Sequence, residues 1–234
     1  MEKRFYDKEL GVVTIRVSAR ARHMTVKMNN DGCIVVTMPV NVSEREVFDL
    51  IEQSRDKLLA FMKEHQEKHP LLSDTTALKT NSFTLHIFRA ERKDFHMYME
   101  GKILHIACPQ DTDFEHKRVQ KLLRELLDKA LLHEGGRVLP RRLMVLASQH
   151  HFFYAKVRVS NSKSRWGSCN FRRNISLSSS LMLLPDHLID YVLLHELCHT
   201  IEMNHSERFW ELMNRVTENK AFALRKELRG YRML

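Results

Sequence analysis

Apolar and polar residues alternate through most of the first forty positions. The alternation is clearest in "GVVTIRVSAR" (11–20), "RHMTVKM" (22–28) and "CIVVTMP" (33–39). A period of two is typical of strands with one buried face, and "NNDG" at 29–32 supplies turn residues between the last two segments. The sequence therefore predicts a β-meander at the start of the chain.

A helical pattern follows at about residues 43–65. Ser43 and Glu46 have the spacing of a capping box, in which each side chain bonds the backbone N–H of the other residue. Apolar residues then recur at roughly helical spacing, at Val47, Leu50, Ile51, Leu58, Phe61 and Met62. We expect one helix here, ending before Pro70.

Three more short strands are predicted between residues 83 and 109. They are "FTLHIFRA" (83–90), "FHMYME" (95–100) and "ILHIACP" (103–109), with "EGK" at 100–102 as a tight turn. Residues 1–110 are therefore expected to form a β-rich N-terminal region that contains the single helix.

The pattern changes to a helical period at residue 111. The segment 111–138 has an acidic first turn, an apolar stripe and a Gly pair, Gly135 and Gly136, which we expect at the end of a long amphipathic helix. Two extended segments, 153–160 and 174–185, then flank a polar loop. Pro185 and Asp186 suit the first turn of another helix. Residues 111–234 are predicted to form a second domain, and the fold class is α+β.

Composition indicates a folded protein of ordinary globular character. Hydrophobic residues make up 43% of the 234 residues and charged residues 29%. The chain lacks both the run of about 18 apolar residues that a membrane helix needs and the apolar core of a signal peptide. The four cysteines are widely spaced without a C-x-x-C pair, which suits a reducing compartment. We therefore expect a cytoplasmic protein with no membrane partner.

The formal net charge of +9 favours anionic partners. Net charge mainly affects solubility and non-specific association. The positive residues are spread along the chain, which has no basic tail. A solvated basic surface is the simpler interpretation. Binding of a nucleotide or nucleic acid through this surface stays open as the alternative.

Three histidines within eleven residues carry the chemistry, in "HELCHTIEMNH" at 195–205. On a helix, His195 and His199 are one turn apart and differ by about 40° around the axis, so both imidazoles can reach one ion. Glu196 is poorly aimed for the metal but can hydrogen-bond a water that the metal holds. The apolar residues before His195 also argue for a ligated site, because buried imidazoles and carboxylates are costly unless they are paired.

A third protein ligand is expected to be His205. It follows His199 by six residues, which is too far for one continuous helix, so the chain must turn between them. We expect Asn204 to be the pivot, because Asn tolerates left-handed backbone angles, and Ser206 to cap the next helix. Three imidazoles with one open position suit Zn²⁺ better than Mg²⁺ or Ca²⁺.

These residues resemble those of the YgjP-like metallopeptidase family, which is related to SprT-type zincins. The resemblance extends to "SERFW" (206–210), "SKSRWGSC" (162–169), "ISLSSSLMLLP" (175–185) and "SARARHMTVKMNNDGCIVVTMP" (18–39). It implies a zincin-like catalytic domain built around the HExxH helix. It also implies that His195, His199 and His205 are zinc ligands and that Glu196 is the catalytic acid/base.

Other residues near the motif have simpler explanations. Glu202, at a turn where metzincins have Gly, is a minor competitor of His205 as ligand. Cys198 and Tyr191 are expected to be core residues. Arg165 and Trp166 are candidate substrate-binding residues at the border of the cleft, beside a strand edge that could bind an extended peptide.

Three functions compete on this sequence. The first is a zinc-dependent metallopeptidase that acts on peptide or protein substrates, with Glu196 activating a water. The second is a metal-dependent nucleoside triphosphate pyrophosphatase, suggested by Lys163, Arg165, Arg172 and Arg173 around one loop, although the chain has no P-loop. The third is a DNA-associated binding module with structural zinc. Three ligands rather than four favour a catalytic metal.

Overall fold

The computed structural model describes residues 2–28, 33–68 and 70–233, and it divides the chain into two units. The units are Met1–Leu71 and Leu72–Leu234. Each unit has a hydrophobic cluster of its own, and no residue of one cluster belongs to the other. The predicted boundary at residue 110 lies inside the second unit, because the strands before it and the long helix after it bury their apolar faces in the same cluster.

The first unit contains a four-stranded sheet with the order β1-β2-β4-β3. The strands are β1 (Glu2–Asp7), β2 (Gly11–Val17), β3 (Thr25–Met28) and β4 (Ile34–Met38). Strands β2 and β4 pair in parallel, with Val13 opposite Ile34. The prediction of strands was correct and that of a meander was wrong, because β3 is placed outside β4. The predicted turn at 29–32 lies outside the described residues.

The predicted helix at about 43–65 is two helices. They are α1 (Glu44–Gln53) and α2 (Arg55–Lys68). The capping box is confirmed, since Glu46 N–H donates to Ser43 Oγ and Ser43 N–H donates to Glu46 Oε2. The break is at Ser54, whose N–H is shared between the carbonyls of Leu50 and Ile51.

The second unit opens with a four-stranded sheet of order β5-β6-β8-β7. The strands are β5 (Leu78–Lys79), β6 (Thr84–Ala90), β7 (His96–Glu100) and β8 (Ile103–Pro109). Strands β6 and β8 are parallel, and β7 pairs antiparallel to β8. The inward residues of β6 and β8 are buried in one cluster with those of the following helix.

That helix, α3, covers Lys117–Gln149. It therefore continues through the Gly pair where the sequence predicted its end. Burial of Leu139 and Leu143 beyond the glycines holds the second half in the core despite Pro140. An added Cβ at Gly135 would make an ordinary packing contact with Val159 Cγ1, at 3.4 Å.

A small sheet and three helices complete the second unit. Its strands, in the order β10-β11-β9, are β9 (Lys156–Ser160), β10 (Gly167–Cys169) and β11 (Asn174–Ser178). A 3₁₀ helix, Ser179–Leu183, leads to α4 (Asp186–Cys198), α5 (Glu207–Val216) and α6 (Ala221–Leu228). The segment predicted as a polar loop thus contains a strand, β10, and that strand lies at a sheet edge. Among the described residues, no helix combines the length and apolar character needed to cross a bilayer.

Candidate metal centre

Helix α4 brings His195 and Glu196 into the core of the second unit. It begins at Asp186 after Pro185, which occupies the N-cap position. Most of its side chains are buried, so the helix is fixed on nearly every face. Glu196 is only 4% exposed, and the carboxylate is consequently held by packing rather than by solvent.

The chain turns immediately after α4. Ile201 and Glu202 both donate their N–H groups to the carbonyl of Cys198, at 3.0 and 2.9 Å, which closes the helix. Asn204 is not among the described residues with positive φ, so the expectation of a left-handed pivot there was wrong. Ser206 caps α5 as expected, because its Oγ accepts the N–H of Phe209.

This turn also fixes the tautomer of His199. Its Nδ1 lies 2.9 Å from the carbonyl oxygen of Glu202. A carbonyl only accepts hydrogen bonds, so Nδ1 carries the proton and the lone pair is on Nε2. A hydrogen bond of this kind orients metal-binding imidazoles. Glu202 therefore contributes through its backbone.

The three imidazoles converge. His195 Nε2 lies 3.1 Å from His199 Nε2 and 3.0 Å from His205 Nε2. One ligand atom from each residue lies within 4.8 Å of the others. Nitrogens held tetrahedrally at the usual Zn–N length of 2.0–2.1 Å are separated by about 3.3 Å, which matches this spacing.

Aromatic side chains of α5 pack against the three imidazoles. The ring of Phe209, which is fully buried, has its centroid 4.9 Å from His195, 4.6 Å from His199 and 4.8 Å from His205. Trp210 stacks on His205 at 5.9 Å, and the guanidinium of Arg225 lies 4.9 Å from the Trp210 centroid. Sequence reasoning did not predict these supports, although Phe209 and Trp210 belong to the "SERFW" segment.

Burial favours the neutral form of His195 and His199. It lowers the pKa of His195 to about 3, with smaller contributions from His199, His205 and Arg225. Burial also lowers the pKa of His199, against the hydrogen bond to Glu202. Because a neutral imidazole is the form that ligates a metal, both side chains are ready to bind one near neutral pH.

Glu196 is enclosed by strand β10. An added Cβ at Gly167 would lie 2.5 Å from Glu196 Oε1 and 2.7 Å from its Cγ, so a larger residue there would require the Glu196 side chain to shift. Burial raises the pKa of Glu196 to about 8, and the nearby charge of Arg165 opposes that shift. Sequence reasoning did not identify the contact between Gly167 and Glu196.

The predicted substrate-binding residues precede this strand. Arg165 is exposed, and its charge acts on Glu196. Trp166 is partly buried, and its carbonyl accepts the N–H of Ser178. Both residues thus lie next to the strand that covers Glu196.

The donor set fits a transition metal. Two buried atoms at the site, His195 Nδ1 and Glu196 Oε2, have no hydrogen-bond partner among the described residues. Three imidazole nitrogens at 3.0–3.1 Å spacing suit Zn²⁺ far better than Mg²⁺ or Ca²⁺, which prefer oxygen ligands. Within the described part of the chain, this is the group of side chains arranged for a metal.

Comparison with known families agrees with this geometry. The family model described as "YgjP-like, metallopeptidase domain" matches residues 22–231. The chain belongs to the YgjP-like family. Membership supports a metallopeptidase, and hence a hydrolase that uses a metal and acts on protein or peptide. It does not support the nucleotide or nucleic-acid partner suggested by the net charge.

Other comparisons add little to the family assignment. No curated protein matches the chain significantly. A solved structure, the metallopeptidase zymogen abylysin of Pyrococcus abyssi, matches with a TM-score of 0.36 and 20% identity, over 42% of this chain and 100% of that one.

The remaining side chains near the motif are packed. Cys198 is fully buried, and burial raises the pKa of its thiol to about 12, as for a core residue. Tyr191 is 3% exposed, and its ring lies 6.2 Å from that of His195. Neither residue belongs to the converging group.

Proposed function

We propose that this YgjP-like protein is a zinc-dependent metallopeptidase with a zincin-like catalytic domain. His195, His199 and His205 hold the metal, and Glu196 is the acid/base. The proposal rests on one arrangement: the Nε2 atoms of three histidines converge, and the residue after His195 on α4, Glu196, has a buried carboxylate.

Glu196 performs the proton transfers. A bound zinc ion supplies Lewis-acid chemistry, since it polarises a carbonyl and lowers the pKa of a coordinated water. Burial alone favours the protonated form of Glu196, and the positive charge of a bound metal would favour the ionised form. The ionised carboxylate would accept a proton from the attacking water and return it to the nitrogen of the departing amine. Burial by Gly167 limits the motion of this side chain, so the carboxylate stays aimed at one place.

Strand β10 is the template for the substrate. Ser178 N–H bonds the carbonyl of Trp166, and Asn170 N–H bonds that of Asn174. Bonded pairs alternate in an antiparallel ladder, so the backbone groups of Gly167 and Cys169 point away from β11. A peptide that adds to this free edge runs past Glu196, with Arg165 and Trp166 at its side.

Metal content and activity test the ligand assignment together. Protein purified without chelator should contain about one zinc per chain and cleave peptides from a proteome-derived library, with cleavage read by mass spectrometry. Removing zinc should abolish cleavage, and returning it should restore cleavage.

Variants at the ligands sharpen this test. We expect His195→Ala and His199→Ala to lose zinc, and His205→Ala to bind it much more weakly, while His187→Ala, a control on the same helix, keeps it. Full zinc occupancy in His205→Ala, or peptide cleavage unaffected by zinc removal, contradicts the assignment.

A further inference from the structure

The wall of the site formed by the small sheet is strongly basic. Between Gly135 and Pro185 the sequence has nine Lys and Arg residues and no Asp or Glu. This segment includes all of β9, β10 and β11, and β10 is the strand that covers Glu196. The turn after α4 carries Glu202 and α5 begins with Glu207, so the excess positive charge belongs to the sheet side.

Several of these cations are already neutralised by partners. Lys163 pairs with Asp128 at 2.5 Å, Arg137 pairs with Glu134, and Arg142 pairs with Asp190 and Asp186. These residues hold the fold together and leave little charge for a ligand.

Three arginines remain at the two ends of β10, and we call them the basic wall: Arg165, Arg172 and Arg173. All three are exposed, and in the described part of the chain none forms an ion pair. Arg165 is two residues before the strand, and the other two lie in the hairpin turn that follows it. Arg172 stacks over the exposed ring of Phe171 at 5.4 Å. The positive charges therefore bracket the free edge of β10.

We infer that the basic wall selects extended peptides with acidic side chains on both sides of the bond to be cleaved. This inference rests on the proposed function and names its substrate class. A peptide strand added to β10 lies about 4.8 Å from it, within reach of arginine side chains at either end. Guanidinium groups bind carboxylates with two parallel hydrogen bonds, which suits Asp and Glu.

The electrostatic interactions of two of these arginines agree with this placement. The charge of Arg165 acts on Glu196, and that of Arg173 acts on Cys169, the last residue of β10. The field of the basic wall therefore extends into the cleft. Basic side chains in a substrate at these positions meet repulsion, so the selection works against cationic peptides as well as in favour of acidic ones.

Peptide binding tests the inference separately from catalysis. The protein is the zinc-loaded Glu196→Gln variant, and the probes are three fluorescein-labelled peptides of identical length. The first carries Asp and Glu on both sides of a central Leu-Ala, the second carries Asn and Gln at the same positions, and the third carries Lys. Affinity is measured by fluorescence anisotropy at low and at high salt.

We expect the acidic peptide to bind about tenfold more tightly than the amide peptide at low salt, with a smaller difference at high salt. Adding Arg172→Glu should weaken acidic-peptide binding about three- to tenfold and leave the amide peptide unchanged. Lys93→Glu, the same charge change in the turn between β6 and β7, should have little effect. Circular dichroism of each variant checks folding.

Three results overturn the inference. The first is equal binding of the acidic and amide peptides. The second is an equal loss of acidic-peptide affinity in Arg172→Glu and in Lys93→Glu, which would show that binding depends only on the net charge of the protein. If inorganic triphosphate binds more tightly than the acidic peptide and Arg172→Glu weakens it, the basic wall serves a phosphate compound and the inference is wrong. Absence of cleavage by wild type, with selective binding intact, contradicts the proposed function alone.

Discussion

Glu196 depends on a glycine for its position. The contact at Gly167 is too close for any Cβ, since the nearest atoms of Glu196 would be 2.5–2.8 Å away. The Glu196 carboxylate is buried, so its position depends on the groups packed against it. Gly167 is thus a positioning residue for the proposed acid/base.

Gly167→Ala should displace the Glu196 side chain and lower peptide cleavage about 10- to 100-fold, because small misplacements of a catalytic group are costly. Zinc content should stay at the wild-type level, since no ligand is touched. Gly136→Ala is the matched control, because its Cβ would meet nothing within 4 Å. It should be neutral or slightly stabilising. Wild-type activity in Gly167→Ala argues against the contact.

Sequence reasoning correctly predicted the convergence of the residues whose spacing along the chain suits the geometry of metal binding. His195, His199 and His205 were expected to meet, and in the structure they converge. Gly167 and Phe209 were not recognised, because their roles depend on contacts between segments far apart in sequence or on different helices. A periodicity that identifies a buried face does not identify its tertiary partner.

At the scale of elements, helix ends set the geometry of the site. Helix α4 ends between two of the histidines, and Ser206 begins α5 immediately after the third. The position of His205 therefore depends on where α5 starts. Among the described residues, Ser43 and Ser206 each cap an α-helix by accepting a backbone N–H three residues later, and Ser206 is the one that adjoins a histidine of the site.

Ser206→Ala should lower stability by about 1 kcal/mol through loss of the cap, and it should also weaken zinc binding because the neighbouring His205 loses its support. Ser43→Ala, which removes the cap of α1, should cost a similar free energy without changing zinc affinity. Urea unfolding and competition with a zinc-binding dye measure the two effects. Equal zinc affinity in both variants would show that the cap does not position His205.

Element boundaries were predicted unevenly. The capping box at Ser43 and the helix start at Asp186 are local signals, and both are present in the structure. The run of α3 through Gly135, Gly136 and Pro140 was not predicted, because burial of residues beyond them outweighs the low helix propensity of Gly and Pro. The placement of β3 outside β4 depends on tertiary packing, which the alternation of apolar and polar residues does not predict.

At the scale of the molecule, each of the two units has its own hydrophobic core, and the first unit also contains a cluster of ion pairs. In the unit Met1–Leu71, Arg55 bonds Asp7 through both carboxylate oxygens, at 3.1 and 2.9 Å, and also bonds Glu9. The hydrogen bonds from Arg55, and next the N–H of Leu10, hold the pKa of Asp7 well below its usual value.

This cluster should make the first unit sensitive to acid. A lowered pKa in the folded state contributes stability that is present above the unfolded pKa of about 3.9 and is lost as the pH falls toward the folded value. We expect Asp7→Asn to cost about 1–2 kcal/mol at pH 7 and to reduce the loss of stability between pH 5 and pH 2. Asp49→Asn, at an exposed position on α1, is the control. An unchanged pH dependence in Asp7→Asn contradicts this account.

The most direct test of the central claim is peptide cleavage by Glu196→Gln with its zinc content measured in the same sample. Glutamine has nearly the same shape as glutamate but cannot take up a proton, and the substitution leaves the three histidines in place. The account predicts about one zinc per chain, a native circular dichroism spectrum and cleavage reduced by about 10²-fold or more. Cleavage at the wild-type rate by a variant that retains its zinc would contradict the role of Glu196 and the proposed mechanism.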